Sequence, residues 1–194
     1  FQGEGVHSGK RAYFVRLFGC NVKCPWCDSR EAWNGAARGR LSAAEIADAA
    51  AQSGAEIAVI TGGEPCLFDL TPLLRRLSEV GVAAHLETSG TLPIRESDGA
   101  AFAWVALSPK LFCPPLEKSL ARADEIKFIV SDPSELAEYE KLAGGAESAK
   151  SLWLHPEWSR SGDPLLLGAI ADFVVSRGGL WRAGWQVHKL YRVR

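Results

Sequence analysis

Seven stretches of the chain are short, largely apolar and rich in β-branched or aromatic residues: AYFVRLFG (12–19), EIAVIT (56–61), VAAHLET (82–88), AWVALS (103–108), DEIKFIV (124–130), SLWLH (151–155) and WRAGWQVH (181–188). Runs of this length and composition predict β-strands. Helical periodicity fills the gaps between them. LSAAEIADAAAQ carries Ser42 as an N-cap, and Leu70, Leu73, Leu74, Leu77 and Val80 recur at helical spacing before Gly81. PSELAEYEKLA and DPLLLGAIADFVVSR open with proline or cap-type residues and carry an apolar stripe. The alternation is βα and the class is α/β: a parallel sheet covered by helices, either doubly wound or curled as a partial (incomplete) TIM-type barrel with its helices outside. Both architectures gather chemistry at strand C-terminal ends. Unusual residues do lie there. Three cysteines follow the first strand, TGGEP closes the second, ETSG the third, SPK the fourth and HPEW the sixth.

Composition narrows the partners. A length of 194 residues suits one domain, 1–194, and Lys+Arg of 22 against Asp+Glu of 23 leaves a net charge of -1. No overall field draws such a chain to nucleic acid or to an anionic membrane, so a small-molecule partner is expected. No apolar run approaches the roughly 20 residues of a membrane span, and no secretory core opens the chain; it reads as soluble. The five cysteines are an odd number, three of them crowded together, which suits thiolate metal ligation in a reducing, cytoplasmic setting better than a disulfide framework. The chain starts at Phe1 and has no methionine, so a longer N-terminus, with a further strand, is expected.

The crowded cysteines, Cys20, Cys24 and Cys27, follow the spacing C-x3-C-x2-C. Thiolates select zinc, copper(I) or iron–sulfur clusters. Structural zinc needs a fourth protein ligand, which only distant residues such as His7, Cys66 or Cys113 offer. A [4Fe–4S] cluster on three cysteines leaves one iron open to a small molecule. Three buried, metal-free thiols are the remaining reading. Cys66 and Cys113 read as ordinary small apolar side chains. In GGEP, Gly62 and Gly63 allow close backbone approach to a ligand, and Glu64 offers a carboxylate to a cationic amino group.

The cysteine loop, with Trp26 before its last cysteine and GGEP ending the next strand, resembles the radical S-adenosylmethionine superfamily. That resemblance fills the open iron with the amino and carboxylate groups of S-adenosylmethionine. Further motifs, from the opening FQGEG through Arg16, Asp28 and Ser29 to GWQVHKLYRVR at the end, resemble the 7-carboxy-7-deazaguanine synthase family, lyases that contract 6-carboxy-5,6,7,8-tetrahydropterin with loss of ammonia in 7-deazapurine (queuosine precursor) biosynthesis. The resemblance implies a [4Fe–4S] cluster on Cys20, Cys24 and Cys27, and Mg2+ on Ser29. It implies cofactor contacts at Trp26, Cys27, Asp28, Gly63, Ser108, Pro109, Lys110, His155, Pro156, Glu157 and Trp158. Substrate contacts fall on Phe1, Gln2, Gly3, Glu4, Arg16, Thr61, His188 and Arg194. His155 departs from the family pattern, which has Gln there. An external electron donor such as a flavodoxin or ferredoxin and a homodimer are also implied. Two rival readings are a glycyl-radical-enzyme activase of the same superfamily and a non-catalytic metal-stabilised binding module.

Overall fold

A computed structural model describes residues 1–33 and 39–192. In chain order the elements are β1 (Ala12–Leu17), α1 (Ala43–Gln52), β2 (Ile57–Gly62), α2 (Thr71–Glu79), β3 (Ala83–Thr88), β4 (Trp104–Leu107), α3 (Glu117–Arg122), β5 (Glu125–Val130), α4 (Glu135–Ala143), β6 (Ser151–Pro156), α5 (Pro164–Arg177), β7 (Trp181–Ala183) and α6 (Val187–Leu190). The starts are set locally. Ser42 and Glu45 form a reciprocal capping box on α1, and Asp163 accepts from the Leu165 and Leu166 amides ahead of Pro164 in α5.

All seven strands join one parallel sheet in the order β1-β2-β3-β4-β5-β6-β7. A doubly wound sheet reverses direction at a switch point; a strictly sequential order with uniform crossover hand keeps its helices on one face and curls the other inward. The sheet is therefore a partial barrel, with no pairing between β7 and β1 among the described residues.

The two faces differ as the strand period demands. Val15, Ala58, Ile60, Ala84, Leu86 and Val105 pack outward with α1 and α2 residues, and Leu107, Ile126, Phe128, Leu152 and Leu154 with α4 and α5 residues. The alternate positions, among them Phe14, Arg16, Thr61, Glu87, Ser108 and Lys127, face the interior and line a cavity. At the strand starts the interior is stopped by His7, whose ring lies 4.5 Å from His85 and 4.7 Å from Trp104, while the Val6 amide donates to Glu125 at 2.9 Å. The cavity opens at the strand C-terminal ends.

Two elements differ from the sequence pattern. The stretch 181–188 was expected as one strand, but β7 stops at Ala183 and α6 begins at Val187. Gly184 lies against the His155 ring, where a Cβ would overlap it, and the chain then turns over the cavity. Helix α3 has six residues, too few to show a stripe.

Candidate active site

A cavity of about 920 Å³ occupies the barrel mouth. Its rim is the loop after β1. There Cys20, Cys24 and Cys27 are free, partly exposed thiols that all line the cavity; Cys66 and Cys113 do not line it. Among the described residues no three His, Cys, Asp or Glu side chains converge closely enough to share one metal ion. His7 is held at the other end of the barrel, and Cys66, its thiol pushed up to about 12 by burial and by the Glu64 charge, contacts Thr88. A four-iron cube takes each thiolate on a different iron and so suits three sulfurs that share a cavity wall without converging on one point. The loop fits an iron–sulfur cluster.

GGEP supports this loop mechanically. A Cβ on Gly63 would overlap the Gly19 carbonyl, and one on Gly62 the Leu17 backbone, so the glycines let the end of β2 press against the chain entering the cysteine loop. The Gly63 amide donates to the Leu17 carbonyl at 2.9 Å and the Glu64 amide to that of Gly19 at 2.7 Å. Glu64 is 1% exposed, and its carboxylate accepts from the Cys66 amide, the Thr88 hydroxyl and both the amide and hydroxyl of Ser89. These four contacts hold the carboxylate in place where it borders the cavity. Glu64 fastens the loop after β2 to the end of β3.

The floor is a charged network. Lys127 donates to Glu4 and to Glu87, each at 3.0 Å. Glu87 also accepts from Gln2 and Thr61 at 3.0 Å, and Glu4 from Gln186 at 2.7 Å. Burial works against the Lys127 charge, but the carboxylates of Glu4, Glu87 and Glu125 outweigh it and raise its pKa. Burial opposes ionisation of Glu4 too, and the Lys127 charge overrides it, holding Glu4 well below the usual carboxylate range. Toward the rim, Arg16 donates to Ser29 Oγ at 3.0 Å, and Ser29 reaches Asp28 Oδ1 at 3.3 Å. Lys189 pairs with Asp28 at 3.1 Å and lies 5.0 Å over the Trp158 ring, clasping α6 to the cysteine loop. Lys110, its pKa lowered mainly by burial, donates to the Ser108 carbonyl and hydroxyl.

Of the residues expected from the sequence, Phe1, Gln2, Glu4, Arg16, Cys20, Cys24, Trp26, Cys27, Asp28, Ser29, Thr61, Gly63, Ser108, Lys110, Glu157, Trp158 and His188 line this cavity. Gly3, Pro109, His155 and Pro156 do not. The Gly3 carbonyl instead accepts from the Val187 amide at 3.0 Å and positions α6. His155 is wholly buried, neither ring nitrogen has a hydrogen-bond partner among the described residues, and burial lowers its pKa to about 4. Arg194 lies outside the described residues. Lys127 and Trp33, which belong to none of the motifs, also line the cavity, as do Glu87 of ETSG and Gln186 and Lys189 of the closing segment, to which no contact was assigned. For Lys127 a signal existed: Glu125 and Lys127, two apart in an otherwise apolar strand, share its interior face.

A partial barrel with a three-cysteine loop at its mouth defines the class, a radical S-adenosylmethionine enzyme. The Radical SAM superfamily model matches residues 15–130. The chain is 35% identical over 193 residues to the 7-carboxy-7-deazaguanine synthase of Synechocystis sp., covering 100% of this chain and 89% of the relative. It is 33% identical to the 7-carboxy-7-deazaguanine synthase of Escherichia coli, covering 99% of this chain and 94% of that one. The crystal structure of QueE from Escherichia coli superposes with a TM-score of 0.81 at 30% identity, over 97% of this chain and 90% of that one. The chain belongs to the 7-carboxy-7-deazaguanine synthase family. Among the described residues no helix is long and apolar enough to cross a membrane.

Proposed function

We infer that the chain is the lyase that converts 6-carboxy-5,6,7,8-tetrahydropterin to 7-carboxy-7-deazaguanine with loss of ammonia. The observation that carries this is one cavity with the three cysteines on its rim and a hydrogen-bonding floor of Gln2, Glu4, Thr61, Glu87 and Lys127 beneath them. Cys20, Cys24 and Cys27 would hold the cluster. With bound S-adenosylmethionine it would supply the reductive cleavage that starts hydrogen abstraction.

The chain's own residues do the positioning. Amide donors on Gln2 and Gln186 and carboxylate acceptors on Glu4 and Glu87 match the mixed donor and acceptor edge of a pterin, and the ion pairs to Lys127 fix them beforehand. Arg16 is free to exchange its Ser29 contact for a two-pronged pair with the substrate carboxylate. Trp26 stacks edge-on to Phe112 at 5.6 Å and, with Trp158, gives the rim an apolar wall that excludes water. Ser29 Oγ would offer a Mg2+ ion a hard oxygen, the rest of its shell coming from water and substrate, while Asp28 would contact the cofactor. Lys110 and Ser108 would contact the cofactor.

Residues 1–194 form one such core domain in this reading, and an external flavodoxin- or ferredoxin-type donor reduces the cluster in a reducing cytoplasm. The homodimer belongs to the same proposal. Anaerobic incubation of reduced protein with S-adenosylmethionine and the pterin tests it by mass: both 5′-deoxyadenosine and the deazapurine are expected. Deoxyadenosine without deazapurine would keep the class and reject the substrate.

A further inference from the structure

The three cysteines are not equivalent. Among the described residues, hydrogen-bond donors meet the Cys27 sulfur alone: the Trp33 indole Nε1 at 3.3 Å and the Ser29 amide at 3.4 Å. The amide contact comes with the turn of the loop, since Ser29 is two residues on. The indole contact does not. Trp33 is brought back to the sulfur by a 3-10 turn, Arg30–Ala32, and its own amide closes that turn by donating to the Arg30 carbonyl at 3.1 Å. Ala32 is 1% exposed, and its carbonyl accepts from the Gly19 amide at 2.7 Å, which ties the turn to the start of the loop. The Arg30 guanidinium lies 5.7 Å over the indole ring. An indole has one donor and no acceptor, and every one of these contacts aims that donor at one sulfur.

We propose that Trp33 is a positioning residue that tunes the cluster: its indole N–H draws charge off the Cys27 thiolate and makes one-electron reduction of the cluster easier. This rests on the reading that Cys20, Cys24 and Cys27 hold a [4Fe–4S] cluster. The step adds one electron from an external one-electron donor, with no bond or proton changing place. The reduced state carries more negative charge on its sulfurs, so a donor to a ligating thiolate stabilises it more than the oxidised state and raises the potential. The indole N–H also fixes the direction of the Cys27 side chain against the cavity wall, a restraint that no side chain among the described residues gives Cys20 or Cys24.

The test is a potentiometric titration with dithionite, followed by electron paramagnetic resonance, of anaerobically reconstituted wild type, Trp33→Phe and Trp33→His. Trp33→Phe is expected to keep about four irons per chain while its reduction equilibrium falls three- to tenfold, a midpoint roughly 30–60 mV more negative for one electron. Trp33→His, which retains an N–H donor, recovers part of the shift. In the reduced wild type, an exchangeable proton coupled to the cluster is expected by electron–nuclear double resonance, and its signal disappears in Trp33→Phe. A Trp33→Phe protein with an intact cluster, an unmoved midpoint and unchanged exchangeable couplings would overturn the proposal. So would failure of both variants to assemble a cluster, which would make Trp33 a builder of the loop and not a tuner. A wild type that takes up no cluster would sink the parent reading as well.

Discussion

Cys20, Cys24 and Cys27 lie within a single loop, partly exposed, and two of their three sulfurs accept no hydrogen bond from the described residues. The floor beneath them is the opposite in each respect. Gln2, Glu4, Thr61, Glu87, Lys127 and Gln186 come from the N-terminal segment, β2, β3, β5 and the turn before α6, and they satisfy one another before any ligand arrives. The rim is thus a set of ligands awaiting a cofactor, whereas the floor is a preorganised binding surface that also holds the barrel together. Loss at the rim is a loss of chemistry; loss at the floor is a loss of both chemistry and stability. A buried ion pair broken on one side leaves an uncompensated charge, and that cost has no counterpart in a thiol that faces solvent.

The largest expected effect separates the two regions at once. Cys24→Ala should abolish iron uptake and bring deoxyadenosine formation to background, a fall of roughly a thousandfold or more, while the urea unfolding of the cluster-free protein moves by less than about 0.5 kcal/mol. Lys127→Met should do the reverse. Glu4 and Glu87 are left facing each other without their cation, unfolding becomes easier by about 3–5 kcal/mol, and the folded fraction still takes up iron. If Lys127→Met proved neutral, the floor would not be the stabilising element claimed for it.

Glu64→Gln probes the joint between the regions. It places an NH2 group where only donors point, and a destabilisation of about 2–3 kcal/mol is expected by urea titration, together with a lower yield of reconstituted cluster. An unchanged protein would mean that the four contacts to Glu64 carry little load.

A smaller effect comes from the two histidines the interior holds neutral. Burial lowers both His85 and His155 from 6.5 to about 4. The unfolded chain therefore binds these protons first as pH falls. The stability they contribute is complete above pH 6.5 and drains away as pH drops toward 4. Going from pH 7 to pH 5 should cost about 1–2 kcal/mol for each. His155→Gln should flatten its share of that slope in urea titrations at the two pH values, and an equal slope would contradict it. The smallest effect is expected at Asn21, whose exposed amide donates to Thr91 at 3.0 Å; Asn21→Ala should shift stability by less than about 0.5 kcal/mol.

The same contrast explains what could be read from the chain alone. The strands from β1 to β6 fall within one or two residues of the apolar runs, because every second residue packs under the helices as apolar core and few of the interior-facing positions between them are charged. The last run misleads. Trp185 and Val187 are strand-type residues, yet the chain leaves the sheet at Gly184, which the His155 ring requires to be small. The cysteine loop is legible because its ligands are neighbours in sequence. The strand pattern alone leaves a doubly wound sheet and a barrel both open, since they differ in strand order; the resemblance carried by the cysteine loop selects the partial barrel, and the sequential order bears it out. The floor is hidden for a related reason: the Glu87, Lys127 and Gln186 side chains mean little until the topology brings β3, β5 and the last turn together. His155 is a case where motif and topology part. The family resemblance gives it a cofactor contact, whereas in the structure it is wholly buried and is not among the residues that line the cavity.

The central claim is that three thiolates of this loop hold an iron–sulfur cluster whose fourth iron is open to S-adenosylmethionine. Electron–nuclear double resonance on the reduced, reconstituted protein tests it directly, using S-adenosylmethionine labelled with 15N at the amino group and 17O at the carboxylate. Hyperfine coupling of both labels to the cluster is the predicted result. A cluster signal that ignores the labels, or a fourth protein ligand at that iron, would contradict the account.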